Sequence, residues 1–148
     1  MGRLRVEVIG VTPLQQNCTL LWDEDTFQAV VIDPGGDADR VAARIEALGL
    51  KVERILLTHG HLDHAGGAAD LHDRLGVPIE GPDRRDQFLL DGLAATGREW
   101  NMVCRDVTPD RFLVEGDTIA LGPHRLDVLH VPGHTPGHIV FIEKNARF

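Results

Sequence analysis

With 148 residues, 43% of them apolar and 26% charged, the chain has the makeup of one folded domain, and no stretch approaches the ~20 apolar residues that a membrane span requires. The net charge of −8, from 15 basic and 23 acidic side chains, argues against a phosphate-binding surface, and two Trp, five Phe and no Tyr leave little from which to build a base-stacking platform. Neither a nucleic acid nor a membrane is an expected partner.

The start, Met1-Gly2-Arg3-Leu4-Arg5-Val6, lacks the apolar stretch and cleavage site of a secretory signal, and Val6 stands where a lipidation signal wants Ser or Thr, so the cytoplasm is the expected compartment. Cys18 and Cys104, far apart and without a C-x-x-C pair, read as small buried thiols. A period of two predicts strands over 4–11, 19–22 and 27–32, with Asp33 ending the third. Asp37 is placed to cap a helix running to Leu48, in which Val41, Ile45 and Leu48 recur at helical spacing and which Gly49 stops. A strand over 52–58 follows, then a polar loop, a helix over 67–75 stopped by Gly76, and a short strand over 77–80. A third helix is expected over 82–93 with Pro82 near its first turn, and Arg84-Arg85 on its solvated face. Residues 93–109 show no clear period. Strands over 112–121 and 125–131 come next, and 139–148 read as a strand, a turn through Lys144 and Asn145, and the first two residues of a returning strand. A hairpin so interrupted leaves unpaired backbone on a sheet edge, so residues 1–148 read as the amino-terminal part of a longer domain.

Two segments interrupt this pattern with histidine. Thr58-His59-Gly60-His61-Leu62-Asp63-His64 places three imidazoles and a carboxylate within six positions. Such groups are what Zn²⁺ and similar divalent ions bind, and they do not crowd together without compensation. The spacing is too tight for one helical face, so the segment reads as a loop, with His59 and His61 turned to one centre and Asp63 and His64 to a neighbour roughly 3.5–4 Å away. The second segment is His130-Val131-Pro132-Gly133-His134-Thr135-Pro136-Gly137-His138. Its prolines restrict the backbone and its glycines open conformations closed to other residues, which makes it a shaped turn. His72, His124 and His130 lack such context and are expected on a helix surface, in a turn and at a strand end.

These residues carry a resemblance. Thr58 to His64 together with Gly133 to Gly137 looks like the metallo-β-lactamase superfamily, and 132–138 with Gln16-Asn17-Cys18 and Asp33-Pro34-Gly35-Gly36 resembles its glyoxalase II-like (hydroxyacylglutathione hydrolase-like) branch, in the short single-domain bacterial type. The resemblance implies an α/β fold, the αββα sandwich whose sheet edges carry the ligand loops, with its carboxy-terminal portion missing. It implies that His59, His61 and His134 hold a first metal and Asp63 and His64 a second, and that a bridging aspartate and a last histidine belong to the missing portion. His138 is then a neighbour of the ligands or a packing residue, Asp33 the strand-end aspartate that braces the metal loop or an ordinary turn acid, and Thr135 an orienter of His134 or a turn cap.

The implied chemistry is hydrolysis without a protein nucleophile: a metal-bound hydroxide attacks an acyl carbonyl polarised by metal, with Asp63 orienting the water as well as binding metal. The expected cofactor is zinc, one or two ions, with iron or manganese also suited to these ligands. A small-molecule thioester, first a glutathione derivative, is the expected substrate. Lactonases, other thioesterases and iron-dependent sulfur dioxygenases share the loop, and a non-catalytic metal-binding fragment or interaction module is the reading of a different class. The sequence does not set the oligomeric state.

Overall fold

The computed structural model describes residues 2–11, 16–144 and 146–148. Strands β1 (Leu4–Val11), β2 (Gln16–Asp23) and β3 (Gln28–Ile32) form the expected antiparallel meander. β2 starts earlier than its apolar run because it pairs along all of β1, from Leu4 opposite Asp23 to Val11 opposite Gln16; backbone pairing does not require the polar Gln16 and Asn17 to be buried. Helix α1 (Ala38–Leu48) then crosses to β4 (Lys51–Leu56), which lies parallel to β3. Helices α2 (Leu62–Ala65) and α3 (Ala68–Leu75) lead to β5 (Ile79–Glu80), parallel to β4, and close a sheet of order β1-β2-β3-β4-β5. A 3₁₀ turn at Arg84–Asp86, α4 (Gln87–Leu90) and α5 (Leu93–Glu99) precede the second sheet. That sheet, β6 (Thr118–Leu121), β7 (His124–His130), β8 (Ile139–Glu143) and β9 (Ala146–Arg147), is antiparallel throughout, in the order β6-β7-β8-β9.

Strand alternation sorts the apolar side chains into two cores. Leu20, Val31, Ile55 and Leu57 face the helices and pack with Val41, Ile45, Leu71, Leu90 and Leu93. Leu21, Val30, Ile32 and Leu56 face the other way and meet Ile119, Leu121, Leu126, Val128, Ile139 and Phe141 of the second sheet. The result is a helix layer, a mixed sheet and an antiparallel sheet, three layers of the expected αββα sandwich; among the described residues every helix precedes β6. Among the described residues no helix is long and apolar enough to cross a membrane.

Several local expectations need correction. Asp37 holds the N-cap position of α1, but in the left-handed conformation (φ 50°) and with no side-chain capping hydrogen bond. Gly49 stops α1 as expected, at φ 70°, donating its N–H to Ile45 and Glu46 carbonyls. The third helix is not continuous. Pro82 lies ahead of it, the Asp83 carboxylate accepts the Arg85 N–H and starts the 3₁₀ turn, and α4 and α5 are separate at Asp91 and Gly92. The strand expected over 112–121 shrinks to β6 because Asp117 bonds back to Val114 around Gly116 at φ 95°. The tight metal motif is only half a loop: Asp63 and His64 sit in the single helical turn α2, with His61 at its N-cap. The two-residue returning strand is present as β9; of its turn, Lys144 is described and Asn145 lies outside the described residues, as does Met1.

Candidate metal centre

β4 runs to the edge of the first sheet and delivers Thr58 and His59, both buried. The hydrogen bonds around them determine how the imidazole is presented. The Thr58 hydroxyl donates to Asp33 Oδ2 (2.6 Å) and lies 2.9 Å from His59 Nδ1. With its own proton committed to Asp33, that hydroxyl accepts the Nδ1 proton, and the lone pair of His59 is left on Nε2. Nε2 is buried and has no hydrogen-bond partner. An orphaned buried nitrogen costs about 1–3 kcal/mol unless something outside the polypeptide satisfies it. Burial first, and then His64, His138, His134 and His61, push the pKa of this ring down to about 2, so it is neutral and able to donate its lone pair.

Two further nitrogens converge on the same place. His61, extended just ahead of α2, points Nδ1 at Nε2 of His134, 3.1 Å away, although the two residues are 73 positions apart. The rings of His59, His61 and His134 lie with centroids 4.7–5.3 Å apart, and one ligand atom from each falls within 4.8 Å of the others. This donor set, imidazoles with one nitrogen unpartnered, fits a borderline divalent cation of the zinc, iron or manganese kind.

Asp33, His59 and His64 form a second group within the same distance limit, but Asp33 is already engaged. Its Oδ1 accepts the Thr58 N–H at 2.8 Å, and its Oδ2 accepts the Thr58 hydroxyl and lies 3.0 Å from His64 Nδ1. Asp33 is therefore a brace: it holds the loop and fixes the His64 ring, leaving Nε2 3.7 Å from Asp63 Oδ2. Burial opposes charging His64, but the Asp33 hydrogen bond and charge, with Asp63, outweigh it and raise its pKa. Asp63 and His64 are thus adjacent, next to the first group, with the His64 ring tilted against that of His59 and its centroid 4.1 Å away. Gly35 permits this arrangement, since a Cβ there would overlap the Asp63 carbonyl.

His138 is closer to the centre than a bystander, its ring 4.6 Å from His59 and 5.8 Å from His134. Its pKa is lowered, by burial first and then by His134. The other histidines are engaged elsewhere. His72 is half-buried, with Nδ1 2.6 Å from the Val77 carbonyl. His130 ends β7 and lies 2.8 Å from the Pro136 carbonyl. His124, expected in a turn, opens β7 and bonds the buried Asp23 across the two sheets at 2.8 Å. Both cysteines are buried, and burial, followed by Asp33, pushes the Cys18 thiol up to about 12.

Asp86 is the residue that sequence reasoning missed. Fully buried, it accepts from the Gly60 N–H (3.0 Å), the Thr135 hydroxyl (2.6 Å) and the Gly137 N–H (2.7 Å). The Thr135 hydroxyl thus donates to Asp86, a partner 49 positions away. In sequence Asp86 looks like any acid in the first turn of a helix. The only signal was indirect: the glycines of H-G-H and P-G-H make room for something.

The chain is similar in sequence and fold to known proteins. A family model described as the metallo-beta-lactamase superfamily matches residues 11–148. A hydroxyacylglutathione hydrolase of Haemophilus influenzae is 46% identical over 146 residues, which are 97% of this chain and 68% of that protein. A probable metallo-hydrolase of Bacillus subtilis is 31% identical over 92% of this chain and 64% of its own. Among solved structures, the BLEG-1 B3 metallo-beta-lactamase superposes with a TM-score of 0.83 at 28% identity, over 95% of this chain and 68% of that one. A protein crystallised in a di-iron-bound form gives 0.81 at 35% identity, over 93% and 67%. The chain thus spans about two thirds of the length of these relatives.

Proposed function

The chain belongs to the metallo-β-lactamase superfamily, and from that premise we propose that it is the amino-terminal part of a metal-dependent hydrolase that cleaves small thioesters, acyl derivatives of glutathione first among them. The observation that carries the metal reading is the unpartnered, buried Nε2 of His59 facing the convergent nitrogens of His61 and His134. The preference for a glutathione thioester is supported by the 46% likeness to a hydroxyacylglutathione hydrolase. His59, His61 and His134 are the residues that would hold one ion, and Asp63 with His64 the pair available to a second. Zinc is our first choice, with iron the alternative that the di-iron relative supports. When bound, such an ion supplies Lewis acidity toward an acyl carbonyl and makes water acidic near neutral pH.

The protein's own groups do the rest. Asp33 and Thr58 set the imidazole tautomers of His64 and His59 before any metal arrives. Asp63, half-exposed on α2, would orient the attacking water as well as bind metal.

The test is hydrolysis of S-lactoylglutathione by the full-length, metal-loaded protein, followed by loss of thioester absorbance. His59→Ala and His134→Ala should each lower turnover by on the order of 100-fold or more with the fold retained. His72→Ala should stay close to wild type. Equal losses from all three would contradict the ligand assignment. Absence of thioester turnover alongside clear lactone or β-lactam hydrolysis would replace the substrate class while keeping the metal centre.

A further inference from the structure

We propose that Asp86 is a positioning residue whose carboxylate locks the two histidine loops in register, so that His59, His61 and His134 already face one point in the metal-free protein. The inference rests on the metal-centre reading above. One carboxylate, fully buried, reaches both loops at once. Its Oδ2 takes the N–H of Gly60, the residue between His59 and His61, and the hydroxyl of Thr135, the residue after His134; its Oδ1 takes the N–H of Gly137, the residue before His138. Four histidines are thus within one residue of a group that Asp86 holds.

The packing around Asp86 supports the same assignment. A Cβ on Gly137 would lie 2.7 Å from the Asp86 backbone nitrogen and 2.8 Å from the Asp83 carbonyl, and one on Gly60 would lie 2.8 Å from Leu89 Cβ and 3.2 Å from the Asp86 carbonyl. Both histidine loops are therefore pressed against the turn carrying Asp86, and Gly60 and Gly137, each beside a histidine, are what let the carboxylate come within hydrogen-bond distance. The three donors need an acceptor-only partner. A carboxylate offers that, whereas an amide of the same shape turns an N–H toward at least one of them. Groups that orient metal ligands in this way act on affinity by about 10- to 100-fold when removed.

The experiment measures zinc affinity of the metal-stripped full-length protein by competition with a chromophoric chelator, together with the visible spectrum after Co²⁺ loading. Wild type, Asp86→Asn, Thr135→Val and His59→Ala are compared, and far-UV circular dichroism with thermal melting reports the metal-free fold. Asp86→Asn should bind zinc about 10- to 100-fold more weakly and change the Co²⁺ spectrum. Thr135→Val, which removes a single donor at nearly constant volume, should weaken binding by less, about 10-fold or under. A merely structural Asp86 would lower the melting temperature and leave the affinity and spectrum of the folded protein unchanged, and that result overturns the proposal. Should Asp86→Asn fail to fold, Thr135→Val decides: wild-type affinity overturns the proposal, and weakened affinity upholds it. Wild type that takes up no zinc, or His59→Ala that binds as tightly as wild type, defeats the metal-centre reading itself. That outcome differs from one in which only Asp86 and Thr135 are silent.

Discussion

Asp33 stands at φ 56°, a left-handed conformation that a non-glycine residue adopts at some cost, and it recovers that cost through three hydrogen-bonded contacts to Thr58 and His64. Asp33→Asn keeps the shape but places an amide N–H against one of those donors. We expect it to destabilise the metal-free protein by roughly 1–3 kcal/mol in urea titration. Asp23 gives a pH signature far from the site. The backbone N–H of Thr26 and then His124 lower its pKa from 3.8 to about 2. A depressed carboxyl stabilises the fold fully above its unfolded value and loses that contribution as pH falls through the folded one. The melting-temperature gap between wild type and Asp23→Asn should therefore be constant above pH 4 and narrow from there towards about 2; a gap unchanged down to pH 2 contradicts the hydrogen-bonded role given to the Asp23 carboxylate, from Thr26 first and His124 next. At this scale the clustering of histidines was legible, because residue types able to ligate a metal seldom occur at such density. Asp86 and the partner of Thr135 were not legible, since a brace is defined by what it meets across 26 to 51 residues of chain.

Elements whose pattern is set locally emerged close to expectation: β1 and its partners by alternation, and α1 and α3 by helical spacing with Gly49 and Gly76 as stops. Elements shaped by distant contacts did not. The segment expected as one helix over 82–93 divides because Asp83 and Asp86 spend their carboxylates on a turn and on the histidine loops, and no apolar period reports that. The histidine motif likewise hid the α2 turn, since four residues are too few to show a period. Two glycines separate packing from backbone effects. Gly137→Ala meets backbone atoms that cannot move aside, so it should cost about 1–3 kcal/mol and weaken metal binding as well. Gly49→Ala meets nothing within 4 Å but must hold φ 70°; it should cost about 1 kcal/mol and leave metal binding untouched. Urea melts and chelator competition on both variants check this, and equal loss of metal affinity in the two would contradict it.

At the scale of the whole molecule, two facing sheets with helices over one of them bring residues 59–64 and 134–138 to a common edge, and this is why motifs some seventy positions apart share a site. Periodicity indicated the order of strands and helices; the layered architecture came from the family resemblance, because the faces of two sheets cannot be paired from alternation alone. We propose that this span, about two thirds of its relatives' length, holds the three histidines of a nearly intact first metal centre and only part of a second. The most direct test is a crystal of the metal-stripped protein soaked in zinc, with anomalous scattering collected at the zinc edge. The account predicts a strong peak about 2.0–2.1 Å from His59 Nε2, His61 Nδ1 and His134 Nε2, with Asp33 still bonded to Thr58. A peak coordinated by Asp33, or zinc bound only away from these three nitrogens, would contradict it.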